Sequence, residues 1–241
     1  MTDVVYVVGR GSGWNDNELR FSLRSLARYV TGIGQAFIVG KIPAFVTNVV
    51  ALPWPDNYGC KERNIMEKVA YACGHPRLSK RFLHVHDDHF ALAPVDAGEV
   101  PNYAGWLKLG PLAGAVGRGN PWGESVLNTA NALTTGGLTT WNFDIHTPII
   151  FDKDWYPEIM DRYDWRGTPR GFVVKSLYAN TMGLEPTKIS DVKLNDRFEM
   201  PVLVEKLRGR PWFSIGNGGL STRFKSLLSE LYPKPSPWEC V

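Results

Sequence analysis

The sequence predicts a mixed α/β fold: a mostly parallel sheet flanked by helices, followed by a loop-rich C-terminal half. Strand-like and helix-like runs alternate from Asp3 to Val85. The apolar runs are short and rich in β-branched residues, as buried strands require, while Gly, Pro, Asn and Thr crowd the segment from Pro94 to Thr140.

Each element has its own signal. DVVYVV (3–8) reads as a fully buried strand closed by the turn GRGSG (9–13). A helix follows, with Asn15 as its cap, Glu18 at capping-box spacing, and Leu19, Leu23, Leu26 and Val30 recurring at helical intervals. AFIVG (36–40) and NVVAL (48–52) are strands on either side of the proline-bearing turn KIPAF. KERNIMEKVAYAC (61–73) is a helix that turns Ile65, Val69 and Ala72 inward and stops at Gly74, with Pro76 beyond; FLHV (82–85) is the next strand. Farther on, one helix is expected over 124–133, a strand over NFDIHTPIIF (142–151) and a short helix over 173–180. A strand, a glycine turn and a closing helix are expected from Trp212 to Tyr232. No repeat or linker divides the chain, so one domain over 1–241 is expected.

Bulk properties narrow the class. At 241 residues and 44% hydrophobic content the chain can bury a full core without metals or disulfides. A net charge of +3 suits a phosphate-bearing ligand but is too weak to announce nucleic-acid binding. Cys60, Cys73 and Cys240 have no CxxC spacing, which argues against a disulfide framework or a thiolate metal site and fits a reducing cytoplasm. No run has the look of a signal peptide or the length to cross a bilayer, so a soluble cytoplasmic monomer or homodimer is expected, with no membrane partner.

RFLHVHDDHFAL (81–92) carries the strongest chemical signal. Asp87 and Asp88 close a predicted strand at the sheet edge where ligands gather, with His86 and His89 beside them. Adjacent carboxylates repel unless a cation or a shared proton intervenes, and Mg²⁺ or Mn²⁺ answers that need beside a diphosphate. Asp87, Asp88 and His89 are therefore the candidate metal ligands; solvated turn residues, or a zinc site on His84, His86 and His89, are the rival readings.

Four weaker signals surround it. Gly9 and Gly11 could cradle a phosphate or simply make a tight turn, and GRGSG lacks the GxGxxG order of a dinucleotide loop. Arg20, Arg24 and Arg28 form one stripe of a helix, most often a solvated feature. Lys61 and Arg63 combine cations with the free N–H groups of a helix start, which suits phosphate. Asp144 and His146 fall on one face of the predicted strand 142–151, where the pair could serve as a base, support a metal or only satisfy one another.

DVVYVV, NDNELRFSLRSLARY (15–29), AFIVGKIPAF (36–45), the KERN helix and RFLHVHDDHFAL, in that order and spacing, resemble the Stealth-type group of sugar-phosphate transferases and the phage glycosyltransferases related to them. The likeness covers the N-terminal part, with an echo at HTP (146–148). It implies a GT-A-like (Rossmann-like) fold, with 1–92 binding a nucleotide sugar and 93–241 the acceptor. It also implies metal on Asp87 and Asp88, and a donor-lining helix carrying Asn17, Glu18, Arg20 and Arg24. The chain departs from the group in having GRGSG where a glycine-and-aspartate turn is usual, and His86 where asparagine is common.

The expected activity is metal-dependent glycosyl transfer from a UDP-sugar, UDP-glucose-like, to an acceptor hydroxyl, with Mn²⁺ or Mg²⁺ as cofactor. Gly9, Gly11, Arg20, Arg24, Lys61 and Arg63 would hold the donor, and Asp144 would act as base with His146 orienting or replacing it. The acceptor is either a glycan or a 5-hydroxymethylated base in phage DNA, whose backbone Arg118, Arg166 and Arg170 could hold in a bacterial host. A sugar-1-phosphate transferase, a non-catalytic nucleotide-sugar or DNA-binding module and a metal-dependent hydrolase are the alternatives.

Overall fold

The computed structural model describes residues 1–117, 119–191, 193–194, 199–216 and 220–240. Arg118 and the glycine turn at 217–219 lie outside the described residues.

The chain opens with β1 (Thr2–Val8), α1 (Asn17–Tyr29), β2 (Val30–Thr31), β3 (Ile33–Gly40), β4 (Val50–Pro53), α2 (Lys61–Cys73), β5 (Arg81–His86) and β6 (His89–Ala91). It continues through β7 (Val95–Asp96), β8 (Tyr103–Ala104), α3 (Leu109–Val116), α4 (Pro121–Thr135), β9 (Ile149–Asp152), α5 (Trp155–Asp161) and α6 (Val174–Thr181). Two short strands, β10 (Thr187–Lys188) and β11 (Lys193–Leu194), precede α7 (Met200–Leu207), β12 (Trp212–Ile215) and α8 (Thr222–Leu231).

The central sheet has the order β4-β3-β1-β5-β9, parallel throughout except for the antiparallel edge strand β9. Alternation along β1 explains why both faces are covered. Val4, Tyr6 and Val8 point to α1 and its Leu19, Leu23 and Leu26, whereas Val5 packs on the other face with Met66, Val69 and Ala72 of α2. The second cluster joins residues of both halves, from Val5 and Phe37 to Leu133 and Leu177. The path leads outward from β1 through β3 to β4, then returns by α2 to β5 on the opposite side of β1. The strand order therefore reverses between β1 and β5, and a crevice opens at their carboxyl ends.

Four local expectations are corrected. Asn15 does not cap α1: Asn15 and Asp16 both adopt left-handed backbone (φ 53° and 58°), and Ser12 Oγ instead accepts the N–H groups of Trp14 (3.1 Å) and Asp16 (2.7 Å). The strand expected over 142–151 begins only at Ile149, because Asn142 Oδ1 accepts from Asp144 N (3.0 Å) and Thr147 N donates to Ile145 O (2.7 Å), folding those residues into turns. A second helix, α3, occupies the loop-rich segment, and the helix expected over 124–133 extends to Pro121–Thr135, with Asn120 Oδ1 accepting from Trp122 N and Gly123 N. Arg20 and Arg24, read as a solvated stripe and by resemblance as donor contacts, instead grip Glu239, at 3.2 Å from Arg20 and 2.8 Å from Arg24.

Candidate active site

Two adjoining cavities occupy the crevice. The first, about 270 Å³, lies between the Gly9–Ser12 loop after β1, the start of α2 and the β5 end, and is lined by Glu18, Lys61, Lys68, Asp87 and Asp88 among others. The second, about 480 Å³, is bounded by Trp122, Asp144, His146, Phe172, Lys175 and Asp191. Lys61, Ile65, His86 and Asp88 line both, so they form the wall between the two.

That wall is built on the β5–β6 turn. Helix α1 holds the turn through serines on its inner face: Ser22 Oγ donates to His89 O, and Ser25 Oγ accepts from Ala91 N (3.0 Å). Tyr6 and Ser22 share a further hydrogen bond of 2.8 Å. Ring stacking fixes the histidines, with His86 and His89 centroids 4.7 Å apart and planes 7° from parallel. One ligand atom each from His86, Asp88 and His89 lies within 4.8 Å of the others. His86 Nε2, Asp88 Oδ1 and His89 Nε2 are all buried without a hydrogen-bond partner among the described residues. Burial, and the positive charge of Lys175 and Lys61 nearby, hold His86 and His89 well below the ordinary histidine pKa, so both rings are neutral at physiological pH. Neutral imidazoles beside an ionisable carboxylate, all unpartnered, fit a divalent metal ion.

Asp87 stands outside that group. It lines the first cavity, where burial and the neighbouring Asp88 push its carboxyl pKa up against the opposing pull of Lys61. The Lys61 ammonium also lies above its usual value: burial lowers it, but Asp88, Asp87, Glu62 and Asp144 together outweigh that effect. Cys60 gives α2 no side-chain cap, so the positive end of the helix faces the cavity beside Lys61 with only the Glu62 carboxylate on its own first-turn N–H. Side chains built on Gly9, Gly11 or Gly13 would meet nothing closer than 3.9 Å, which leaves an open floor under that position.

The second cavity holds the remaining candidates, paired otherwise than expected. Asp144 accepts from Trp122 Nε1 at 2.9 Å, while His146 Nδ1 lies 3.0 and 3.2 Å from the two carboxylate oxygens of Asp191. Burial raises the Asp191 carboxyl, but hydrogen bonding to His146 outweighs it and holds the pKa down at about 2.

The structure thus gathers Gly9, Gly11, Lys61, Asp87, Asp88, His89, Asp144 and His146 around one crevice. It does not bring Arg20, Arg24 or Arg63 to either cavity: Arg63 lies over the Tyr58 ring at 4.6 Å and packs against Gly171. Sequence reading missed Lys68, Lys175 and Asp191. Lys68 is fully buried, donates to Val8 O at 3.0 Å and pairs with Asp56; its signal was a charge at i+4 from Asn64 on the inward face of α2.

No protein-family model matches the chain, and no curated protein matches it. Among solved structures, it is similar to mouse xyloside xylosyltransferase 1 in its apo form, at a TM-score of 0.39 and 10% identity, covering 90% of this chain and 97% of that one. No helix among the described residues is long and apolar enough to cross a membrane.

Proposed function

We propose that this chain is a metal-dependent glycosyltransferase of GT-A-like fold that binds a nucleotide diphosphate sugar in the first cavity and an acceptor hydroxyl in the second. The observation that carries this reading is the wall between the cavities: an unpartnered His86–Asp88–His89 group stands where donor and acceptor would meet. Of the two ions expected from sequence, Mn²⁺ suits two imidazoles better than Mg²⁺, which favours oxygen ligands and keeps its waters. Charge developing on a departing diphosphate is neutralised by such a cation when bound. Lys61 and the uncapped first turn of α2 hold the diphosphate, and Gly9 and Gly11 let it approach the backbone closely. His86 replaces Asp87 in the ligand set, leaving Asp87 to face the donor cavity.

For the acceptor we favour a glycan. Of the arginines expected to hold a DNA backbone, the two among the described residues already sit beside carboxylates, Arg166 at 3.8 Å from Asp161 and Arg170 at 3.5 Å from Glu124. The acceptor cavity balances Glu62, Asp88, Asp144 and Asp191 against Lys61, Lys175 and Lys193, so its lining offers no excess of positive charge to a phosphate backbone.

The test is incubation with a panel of UDP-sugars and Mn²⁺, with oligosaccharides or hydroxymethylated DNA as acceptors. Sugar transfer to an oligosaccharide with release of UDP, abolished by a chelator, is expected. Release of UMP would instead identify sugar-phosphate transfer, and release of UDP without acceptor would identify a hydrolase. No release in any arm would defeat the enzymatic reading.

A further inference from the structure

Lys175 is a buried lysine held by backbone carbonyls. It is 2% exposed, no carboxylate lies within ion-pair distance of it among the described residues, and its Nζ donates to Ile145 O and to Thr147 O at 3.0 Å. An ammonium is costly to remove from water and persists where its position matters. The two carbonyls it grips flank His146, and the same residues are closed by the Thr147 N to Ile145 O hydrogen bond of 2.7 Å. His146 is therefore the central residue of a three-residue turn held from beneath by α6. From that turn the imidazole enters the second cavity, with Nδ1 fixed on Asp191.

We infer that His146 and Asp191 form the proton-accepting unit of the acceptor cavity, and that Lys175 is the positioning residue that presents it. This deepens the glycosyltransferase reading and rests on it. Asp191 accepts the Nδ1 proton, which leaves the Nε2 lone pair for a ligand; no hydrogen bond occupies Nε2 among the described residues. In a single displacement, the acceptor O–H gives its proton to Nε2 and its oxygen bonds to the anomeric carbon. The bond from that carbon to the diphosphate oxygen breaks, and the electron pair leaves on the nucleoside diphosphate. Asp144 Oδ2 already accepts from Trp122 Nε1, whereas His146 Nε2 has no such bond among the described residues, and we therefore assign the role to His146.

The ring can be tested without any turnover. Nitrogen NMR of the histidine side chains, with His146 assigned by its disappearance in His146→Ala, should show the Nδ1–H tautomer in the wild type. Asp191→Asn, at a half-exposed site, and Lys175→Met should both disturb it. Kinetically, His146→Ala should lower kcat by about 10²–10⁴-fold and regain part of it with added imidazole. Lys175→Met should lower kcat roughly 10²-fold while leaving donor KM within about threefold, the signature of misplaced chemistry rather than lost binding. An Nε2–H ring in the wild type, or a His146→Ala enzyme that transfers at the wild-type rate, overturns the proton-accepting unit while leaving the glycosyltransferase intact. An unshifted His146 resonance and full kcat in Lys175→Met overturn the positioning role alone. A wild type that releases no nucleotide from any donor overturns both readings together.

Discussion

His86 and His89 stack face to face, their ring centroids 4.7 Å apart; each has a buried Nε2 without a hydrogen bond among the described residues, as does Asp88 Oδ1, and one ligand atom of each residue lies within 4.8 Å of the others. Two neutral rings in van der Waals contact would be ordinary packing were their outer nitrogens bonded. Left bare beside a carboxylate, they are a ligand set.

Manganese should therefore stabilise the protein. At a concentration of about 100 Kd it would add about 2.7 kcal/mol, which for a chain of this size raises Tm by roughly 5–8 °C. Asp88→Asn and His89→Ala should each abolish the rise in a thermal melt. Asp87→Asn should retain it, since that side chain stands outside the ligand group.

Lys61 lies between the cavities and draws on four carboxylates, so its replacement by Ala should weaken binding of UDP. A charge-assisted contact of about 1.5 kcal/mol corresponds to roughly tenfold in Kd, read by calorimetry at low salt. Although its ammonium sits among carboxylates, Lys61 as a whole residue is exposed, so the same substitution should shift the urea midpoint little.

Gly40 adopts φ +113°, and a Cβ there would lie 2.1 Å from Val8 O and 3.0 Å from Lys68 Nζ. Gly40→Ala should cost about 3 kcal/mol in the urea midpoint, since it strains the backbone and also displaces the buried Lys68 ammonium. Gly11→Ala, which meets open space, should cost far less in the same measurement.

Glu239 joins Arg20, Arg24 and Ser236 while only 1% of its side chain is exposed. Burial raises its carboxyl pKa, but the Arg24 and Ser236 hydrogen bonds outweigh burial and hold it below the ordinary 4.5. A depressed carboxyl stabilises fully above its unfolded pKa and loses that contribution as pH falls through the folded one. Unfolding free energy should thus drop as pH falls below about 4.5, and Glu239→Gln should flatten that limb. Loss of the carboxylate should cost roughly 3 kcal/mol near neutrality, because the guanidiniums lose their buried partner.

The parallel sheet was legible because its signals are local. β1, α1, β3, α2 and β5 each carry a complete apolar pattern between glycine or proline breaks, and these elements alone place the Asp87–Asp88 turn at the mouth of the crevice. Pairings made by tertiary geometry were not legible. The expected Asp144 and His146 couple assumed a strand, whereas Asn142 and Thr147 fold the segment into turns that send the two side chains to Trp122 and Asp191. Asp191 stands 45 residues from His146 in a stretch with no periodicity, so nothing in its neighbours could announce it. Lys175 was hidden for the opposite reason: its short helix reads as apolar around it, and only the carbonyls beneath explain a cation there. The arginines of α1 show how helical spacing misleads, since the same stripe serves solvent, ligand or a distant stretch of chain equally well.

The clasp of Arg24 on Glu239 spans 215 positions. During translation α1 can pack its leucines on β1 early, but Arg20 and Arg24 must wait for all of that polypeptide before they meet their buried partner. Chains cut before Glu239 should accordingly be nicked by proteases more readily than chains that include it.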